Sequence, residues 1–432
     1  MTSYIIFSIL AFGVFYAYFG YPLILAVLAR GKKDERGAGA DRADTGGDTT
    51  GTVGDGTDTI ADVGVAGDIP EERGQAPGNT DASEGRADGE FERGGREEID
   101  GLPEVSILIA AYNEEDTIAK KIENSLELDY PTDKLHIVVV SDGSTDGTDG
   151  IVQSFDDSTV ELFRVEGRKG KTVARNEAVK QAKGEIIVFT DANAFFHKDA
   201  VKALARHFED ESVGAVCGNL VLKKKNGEEN LYWRYEKLVK RLEDRFHSIV
   251  GANGSIYAIR KELYTPLTSE VDDDFVEPLL VYTKGKRIVY EPLAVSEEED
   301  IPHHGLAHEF EAKKRVVLRG LQSLSFAKQT LNPFRYPVLS FEIFSHKIMK
   351  WLVPFFLILI FIDTFFMPRG PFSYTLFFLQ LIFYGAALYG IASRSKLFHV
   401  PAYFVSTNAA ILAAVTEFIT GKRSRHWEKR RG

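Results

Sequence analysis

Polar residues with chemical potential stand repeatedly where an apolar run of strand length stops. Asn113 and Glu114 follow "VSILIAA" (105–111), Asp142 follows "LHIVVVS" (135–141), Lys171 follows the turn "EGRKG" after "VELFRV" (160–165), and Asp191 follows "EIIVFT" (185–190). A carboxylate such as Asp142, on a Gly/Ser/Thr turn, can accept hydrogen bonds from a base or ribose while nearby backbone N–H groups stay free. Lys171 opens a helical stretch, where an ammonium and the helix N–H groups together meet a diphosphate. Asp191 has apolar neighbours, so its charge needs a partner such as a cation. Mg2+ or Mn2+ suits hard oxygen ligands completed by phosphates. Turns that hold a metal against a diphosphate often carry a second carboxylate two positions on, but here "VFTDANAFF" has Asn193. An amide oxygen is a neutral ligand for a hard cation, so Asp191 is the expected principal ligand and Asn193 a weaker contact.

Each position also has a plainer reading. "DGSTDG" is a good N-cap with turn residues, and "NEED" a good helix start. Lys171 would do as a solvated surface lysine, and Asp191 as the cap of a helix beginning near His197. "VDDDFVEP" would serve as a solvated helix start. His304 and His308 share a helical face with His303 nearby, yet no third ligand or H-E-x-x-H arrangement accompanies them, so no histidine metal site is expected.

The elements that must position these residues alternate. Between the four apolar runs lie the helical stretches "EEDTIAKKIENSLEL", "TDGTDGIVQSF" and "KTVARNEAVKQAKG", the last closing on Gly184 as a helix stop. This is the pattern of an open, parallel α/β sheet, which binds ligands at the carboxyl ends of its strands. No G-x-G-x-x-G follows the first strand and no G-x-x-x-x-G-K-[ST] occurs, which disfavours a dinucleotide oxidoreductase or a P-loop enzyme.

Composition divides the 432 residues further. Residues 1–29 carry no charged side chain and are followed by Arg30, Lys32 and Lys33, so a retained transmembrane anchor with a cytoplasmic continuation is expected. Residues 30–103 read as an acidic, Gly/Asp-rich disordered linker: from 31 to 103 there are 19 Asp/Glu against 8 Lys/Arg, a net of −11 that equals the charge of the whole chain. The acidity therefore says nothing about the charge preference of a site. The single Cys217 excludes an internal disulfide and any multi-cysteine metal centre. After an amphipathic interfacial segment at 301–345, the region 346–420 holds three apolar stretches: Trp351 to Phe366, Pro371 to Ser393, and the more polar Leu397 to Thr416. Two full spans plus one re-entrant or interfacial segment would keep the basic tail, 421–432, in the cytoplasm.

Taken in order, "VSILIAAYNEEDTI", "VVVSDGSTDGT", "GRKGKTVARNEA", "VFTDANA", "GANGSIYAIRKELY" and "DDDFVEPLLVYTKGKRIVYEP" resemble the family 2 glycosyltransferases, inverting enzymes of the GT-A fold. The resemblance covers about residues 104–300, and the apolar block after it is similar to the membrane-embedded, polysaccharide-synthesising branch. It implies an α/β GT-A nucleotide-sugar-binding domain flanked by transmembrane helices in a multi-pass cell-membrane protein. The implied donor is a nucleotide sugar, UDP-linked by expectation, and the implied acceptor a saccharide or lipid-linked hydroxyl. Membrane lipids are expected partners and nucleic acid is not. Asn113, Glu114, Asp142 and Lys171 carry over as donor contacts, Asp191 as donor and metal contact, and Asp274 as general base with Asp273 beside it. That base role is chemically sensible, because a close like charge raises a carboxylate's pKa and basicity. Gly251, Asn253 and Gly254 form the implied acceptor loop. The processive members carry Q-x-x-R-W after the base, whereas here Val316 and Gly320 would stand for Gln and Trp around Arg319. Arg319 or Arg315 could still offer a cation to the departing diphosphate; the other reading of this basic helix lays it on anionic headgroups. Two alternatives remain: transfer of one sugar to polyprenyl phosphate, and a membrane scaffold that binds nucleotide without turnover.

Overall fold

The computed structural model describes residues 2–30, 101–223, 231–299, 305–393 and 395–421. Residues 31–100 of the expected linker, 422–432 of the expected basic tail, and His303 and His304 lie outside the described residues; at the linker's end Leu102 is buried, and its carbonyl accepts from Lys134 at 3.0 Å, so residues 101–103 belong to the folded domain.

Eight strands form one mixed sheet: β1 (Val105–Ala111), β2 (Leu135–Ser141), β3 (Val160–Arg164), β4 (Ile186–Asp191), β5 (Phe195–Phe196), β6 (Val213–Lys223), β7 (Tyr257–Arg260) and β8 (Arg287–Glu299), in the spatial order β3-β2-β1-β4-β7-β6-β8-β5. The four apolar runs found in the sequence are the parallel strands β1 to β4. Their alternate residues fill two separate cores. Ile107, Ile109, Ile137, Val139 and Val188 pack on one face; Leu108, Val138, Val140, Ile187 and Phe189 pack on the other. Burial of both faces explains why these runs are continuously apolar instead of alternating. The chain winds from β1 to β3 in one direction and returns to β4 on the opposite side of β1, so a crevice opens at the carboxyl ends of β1 and β4.

The other half of the sheet was not legible as strands in the sequence. β7 pairs antiparallel with both β4 and β6, and β6 pairs parallel with β8 across two register irregularities. Gly184 also has a different task from the one expected. The helix Lys171–Gln181 has already ended before it. A Cβ at Gly184 would lie 2.5 Å from the Ser106 nitrogen, so the glycine permits close backbone approach at the start of β1.

Four helices among the described residues are long and apolar enough to cross a membrane: Thr2–Arg30, Pro337–Phe366, Pro371–Ser393 and His399–Ile419. The first of the C-terminal group begins at Pro337, upstream of the expected boundary, and contains a π-helical turn at Phe344–Ile348. The third is one unbroken helix of 21 residues, without the break that the re-entrant form of the expected re-entrant or interfacial segment would need. Asn408 spends its amide donor on the Phe404 carbonyl at 2.9 Å within the helix, which lets a polar residue sit there without breaking it.

A polar cluster ties these helices to the sheet domain. His346, in the π-helical turn, has Nδ1 2.7 Å from Glu243 and Nε2 3.2 Å from Glu236, and Tyr21 donates to Glu243 at 2.8 Å. Both glutamates lie on the helix Leu231–Phe246.

Gly184→Ala should destabilise the protein by roughly 1–3 kcal/mol through overpacking against backbone. Gly150→Ala, where nothing lies within 4 Å of the added carbon, should be neutral or slightly stabilising. Thermal unfolding of the two variants in detergent checks the contrast.

Candidate active site

Asp142 ends β2 and is buried, and its carboxylate accepts hydrogen bonds from the backbone N–H groups of Lys169 at 2.8 Å and Gly170 at 2.9 Å. It therefore shapes the loop that leads into the helix Lys171–Gln181. The turn after β2 passes close to that loop at Gly143, whose φ is +70° and whose added Cβ would strike Gly167 backbone at 2.8 Å. Asn113, at φ 55°, accepts from the Thr145 N–H at 2.8 Å, and the Glu114 N–H donates to Thr148 Oγ1 at 2.8 Å. The ends of β1 and β2 are thus laced together. Between them lies a small cleft lined by Ala110, Ala111, Tyr112, Val140, Asp142, Lys171 and Ala174.

From this cleft the charges run inward. Lys171 Nζ is 2.5 Å from Asp191 Oδ1, and Arg175, one helical turn later, places Nη2 3.2 Å from the same oxygen. The Arg175 guanidinium is buried; Nη2 also donates to the Thr190 carbonyl at 3.0 Å, and Nη1 pairs with Asp273. One side chain therefore joins the acidic turn after β4 to the acidic start of the helix Asp273–Thr283. The Asp191 Oδ2 atom accepts no hydrogen bond from a described residue, and half-buried Asn193 shares its turn.

The three consecutive aspartates receive different partners. Asp272 pairs with Arg319 Nε at 2.5 Å, while Arg319 also donates to the Val271 carbonyl at 2.6 Å. Burial would raise the Asp273 pKa, but the Arg175 and Lys171 cations outweigh it and hold this carboxyl well below the usual range. The Asp274 carboxylate accepts no hydrogen bond from a described residue. Burial, followed by repulsion from Asp272 and Asp273, pushes it up to about 7. The expected acceptor loop lies against it: the Ala252 N–H donates to the Asp274 carbonyl at 2.8 Å, and a Cβ at Gly254 would sit 3.1 Å from Asp274 Oδ2. Gly251 leaves room for Phe275, and Asn253 is buried, donating to the Gly218 carbonyl at 2.7 Å and accepting from Lys240 at 2.5 Å.

Residues 106–266 match the family model described as glycosyl transferase family 2. The chain carries a family 2 glycosyltransferase domain. The poly-beta-1,6-N-acetyl-D-glucosamine synthase of Staphylococcus aureus is 27% identical over 208 residues, covering 46% of this chain and 50% of that protein. A probable glycosyltransferase of Bacillus subtilis, YdaM, is 30% identical over 223 residues, 48% of this chain and 53% of that one. The chain thus spans about half the length of the curated relatives it matches. The solved mannosyltransferase PcManGT from Pyrobaculum calidifontis, in complex with GDP-Man and Mn2+, superposes with a TM-score of 0.56 at 26% identity, covering 74% of this chain and 87% of that one. The GT-A-like mixed sheet is common to both.

Within the glycosyltransferase domain, several residues without a role in the sequence reading turn out to organise the site. Arg175 is the chief one; its spacing of four from Lys171 was the available signal. Lys121 is buried under the turn after β4, donates to the Ala194 carbonyl and lies 3.7 Å from the Phe196 ring centroid. Burial lowers its pKa to about 7 against the attraction of Asp191 and Glu298. Arg319 faces the loop before Asp273 instead of lying on a free helix surface, and Arg315 stands one turn earlier on the same helix, Leu306–Phe326. Val317, Leu318 and Leu324 of that helix are buried, the first two against Ile411 and Ala414, so it is a packed roof and not only an interfacial strip. Gly320, which replaces a tryptophan of the processive pattern, has Trp351 against it: an added Cβ would be 3.0 Å from the indole.

No three His, Cys, Asp or Glu side chains among the described residues group to hold a metal. The donor set is one carboxylate oxygen of Asp191 and the amide of Asn193, which fits a hard divalent cation when ligand phosphates complete the shell.

The Asp274 carboxyl, raised from 3.8 to about 7, favours the folded state most at low pH, and that contribution is lost as pH rises from about 4 to 7. Asp274→Asn should therefore raise the melting temperature at pH 8 and leave it nearly unchanged at pH 4. A pH series of melting curves for the two proteins tests this without any substrate.

Proposed function

We propose that this protein is a multi-pass cell-membrane glycosyltransferase whose catalytic domain faces the cytoplasm and moves one sugar from a nucleotide diphosphate to an acceptor hydroxyl with inversion. The observation that carries this reading is the single Arg175 guanidinium shared by Asp191 and Asp273, the neighbour of Asp274. It ties the turn that carries Asp191 to the helix start that carries Asp274.

In this reading the nucleotide lies in the cleft beside Tyr112 and Asp142, with Asn113 and Glu114 holding its rim. Lys171 and the first N–H groups of its helix meet the diphosphate. Asp191 and Asn193 would hold Mg2+ or Mn2+, which supplies charge neutralisation for the departing diphosphate. Mn2+ in the mannosyltransferase structure supports this choice. The acceptor hydroxyl enters past Gly251, Asn253 and Gly254, where the absence of a side chain at 254 leaves Asp274 open to it. Asp274 takes the proton as the hydroxyl oxygen attacks the anomeric carbon from the face opposite the leaving group, which inverts that carbon. A pKa of about 7 suits the step, because the carboxylate is ionised near neutral pH yet still basic. Arg319 keeps Asp272 paired and so holds the loop that presents the base.

A UDP-sugar donor and a saccharide or lipid-linked acceptor are the favoured substrates from the motif resemblance, and the poly-N-acetylglucosamine synthase among the relatives supports a saccharide product. The GDP-Man complex of the mannosyltransferase makes GDP-sugars the first alternative to try.

Release of nucleoside diphosphate from a panel of UDP- and GDP-sugars, with Mn2+ and lipid extract, should be donor-dependent and vanish in Asp274→Asn. Tight nucleotide binding without turnover of any pair would mean a scaffold instead. In the active system, kcat/KM should fall about tenfold per pH unit below pH 7, as the base takes up its proton. Asp191→Ala should abolish metal-dependent turnover and Asn193→Asp should preserve it; loss only in the second variant would reverse the ligand assignment.

A further inference from the structure

We propose that Lys171 is an exchangeable counter-ion for Asp191, which keeps the divalent cation out until a nucleoside diphosphate draws the ammonium away. The inference rests on the donor and cation assignment above and concerns the order in which the two bind. Asp191 is the one carboxylate of its turn, with two cationic side chains in contact and a third basic one, whose charge burial weakens, beneath the turn. Lys171 Nζ lies 2.5 Å from Oδ1, Arg175 Nη2 lies 3.2 Å from the same atom, and Lys121 is buried beneath the turn, bound to the Ala194 carbonyl. Asn193 adds a dipole but no charge. A bare divalent cation approaching this turn meets one negative charge already offset, and must stand close to the two positive charges that offset it.

The three cations differ in freedom. Arg175 is buried and pinned by the Thr190 carbonyl and by Asp273, and Lys121 is enclosed against Phe196. Lys171 is the one that also lines the cleft beside Ala110, Tyr112, Val140 and Asp142. Its ammonium is a point charge on a flexible stem, able to trade one oxyanion for another. A diphosphate in that cleft offers Lys171 an alternative partner, and the same phosphates complete the cation's ligand shell. Arrival of the diphosphate thus removes a repulsive charge and adds attractive ones in a single event. By linkage, nucleotide must tighten the cation and the cation must tighten nucleotide by the same factor.

The test uses the full-length protein in detergent, with Mn2+ titrated by electron paramagnetic resonance and calorimetry, alone or with saturating UDP or GDP. Wild type should bind Mn2+ weakly alone and at least about tenfold more tightly with the matching nucleotide. Lys171→Met should bind Mn2+ alone about tenfold more tightly than wild type, and nucleotide should then tighten it by about tenfold less than it does in wild type, because only the phosphate ligands remain to be gained. Lys171→Arg should keep the wild-type pattern, as should Lys180→Met, which removes a lysine paired with Glu177 at the far end of the same helix. Melting curves confirm that each variant is folded. Equal Mn2+ affinity of wild type and Lys171→Met without nucleotide would overturn the exchange while leaving the donor site standing. Failure of every variant to bind Mn2+ with either nucleotide would overturn the cation assignment, and the exchange with it.

Discussion

Arg175 occupies a position where a positive charge is costly unless it is fully paired. The sequence leads into it from a loop held by Asp142, and the helix brings it under the ends of β1 and β4. There its guanidinium meets Asp191, the Thr190 carbonyl and Asp273. Leaving one of those charges unpaired in the interior would cost several kcal/mol, so the pairing constrains both acidic segments together. The two segments are separated widely in the chain, and this one group sets their relation.

From that constraint follows the division of labour among Asp272, Asp273 and Asp274. Three adjacent carboxylates cannot all be ionised cheaply at the end of a helix buried on several sides. Arg319 takes the first and Arg175 the second, which leaves the third with the repulsion of its neighbours and no cation in contact. Divergent environments around like groups are how one site comes to hold both a permanent anion and a proton acceptor. The glycine at 254 places no side chain against Asp274 Oδ2.

The membrane part enters the same network through one helix. Along Leu231–Phe246, Glu236 and Glu243 hold His346 of a long apolar helix, while Lys240, between them, holds Asn253 of the loop beside Asp274. The helix Leu306–Phe326 makes a second connection, with Arg319 over the acidic loop and Val317 and Leu318 against the last apolar helix. Anchoring and acceptor-loop geometry are therefore set by shared elements. Trp351 packed over Gly320 belongs to this arrangement: the indole from the long apolar helix lies where residue 320 has no side chain.

Much of this was open to a reading of the chain alone. Strands covered on both faces announce themselves as unbroken apolar runs, so β1 to β4 and the polar groups at their ends were legible, as were the apolar membrane stretches. The antiparallel β7 and the irregular pairing of β6 with β8 were not, because short strands whose register depends on distant partners leave no period of their own. Gly184 looked like a helix stop since spacing shows where a helix can end, while its close approach to Ser106 involves a strand far away in sequence. Residue types and local order thus determined which groups are present: Asp142, Lys171, Asp191, Asp274, and the loop at 251–254. Tertiary structure decided what each group is charged with and who shares it, notably the roles of Arg175, Lys121, Lys240 and Arg319. The reason is that Coulomb interaction and desolvation depend on distance and burial in space, and neither is a function of position along the chain.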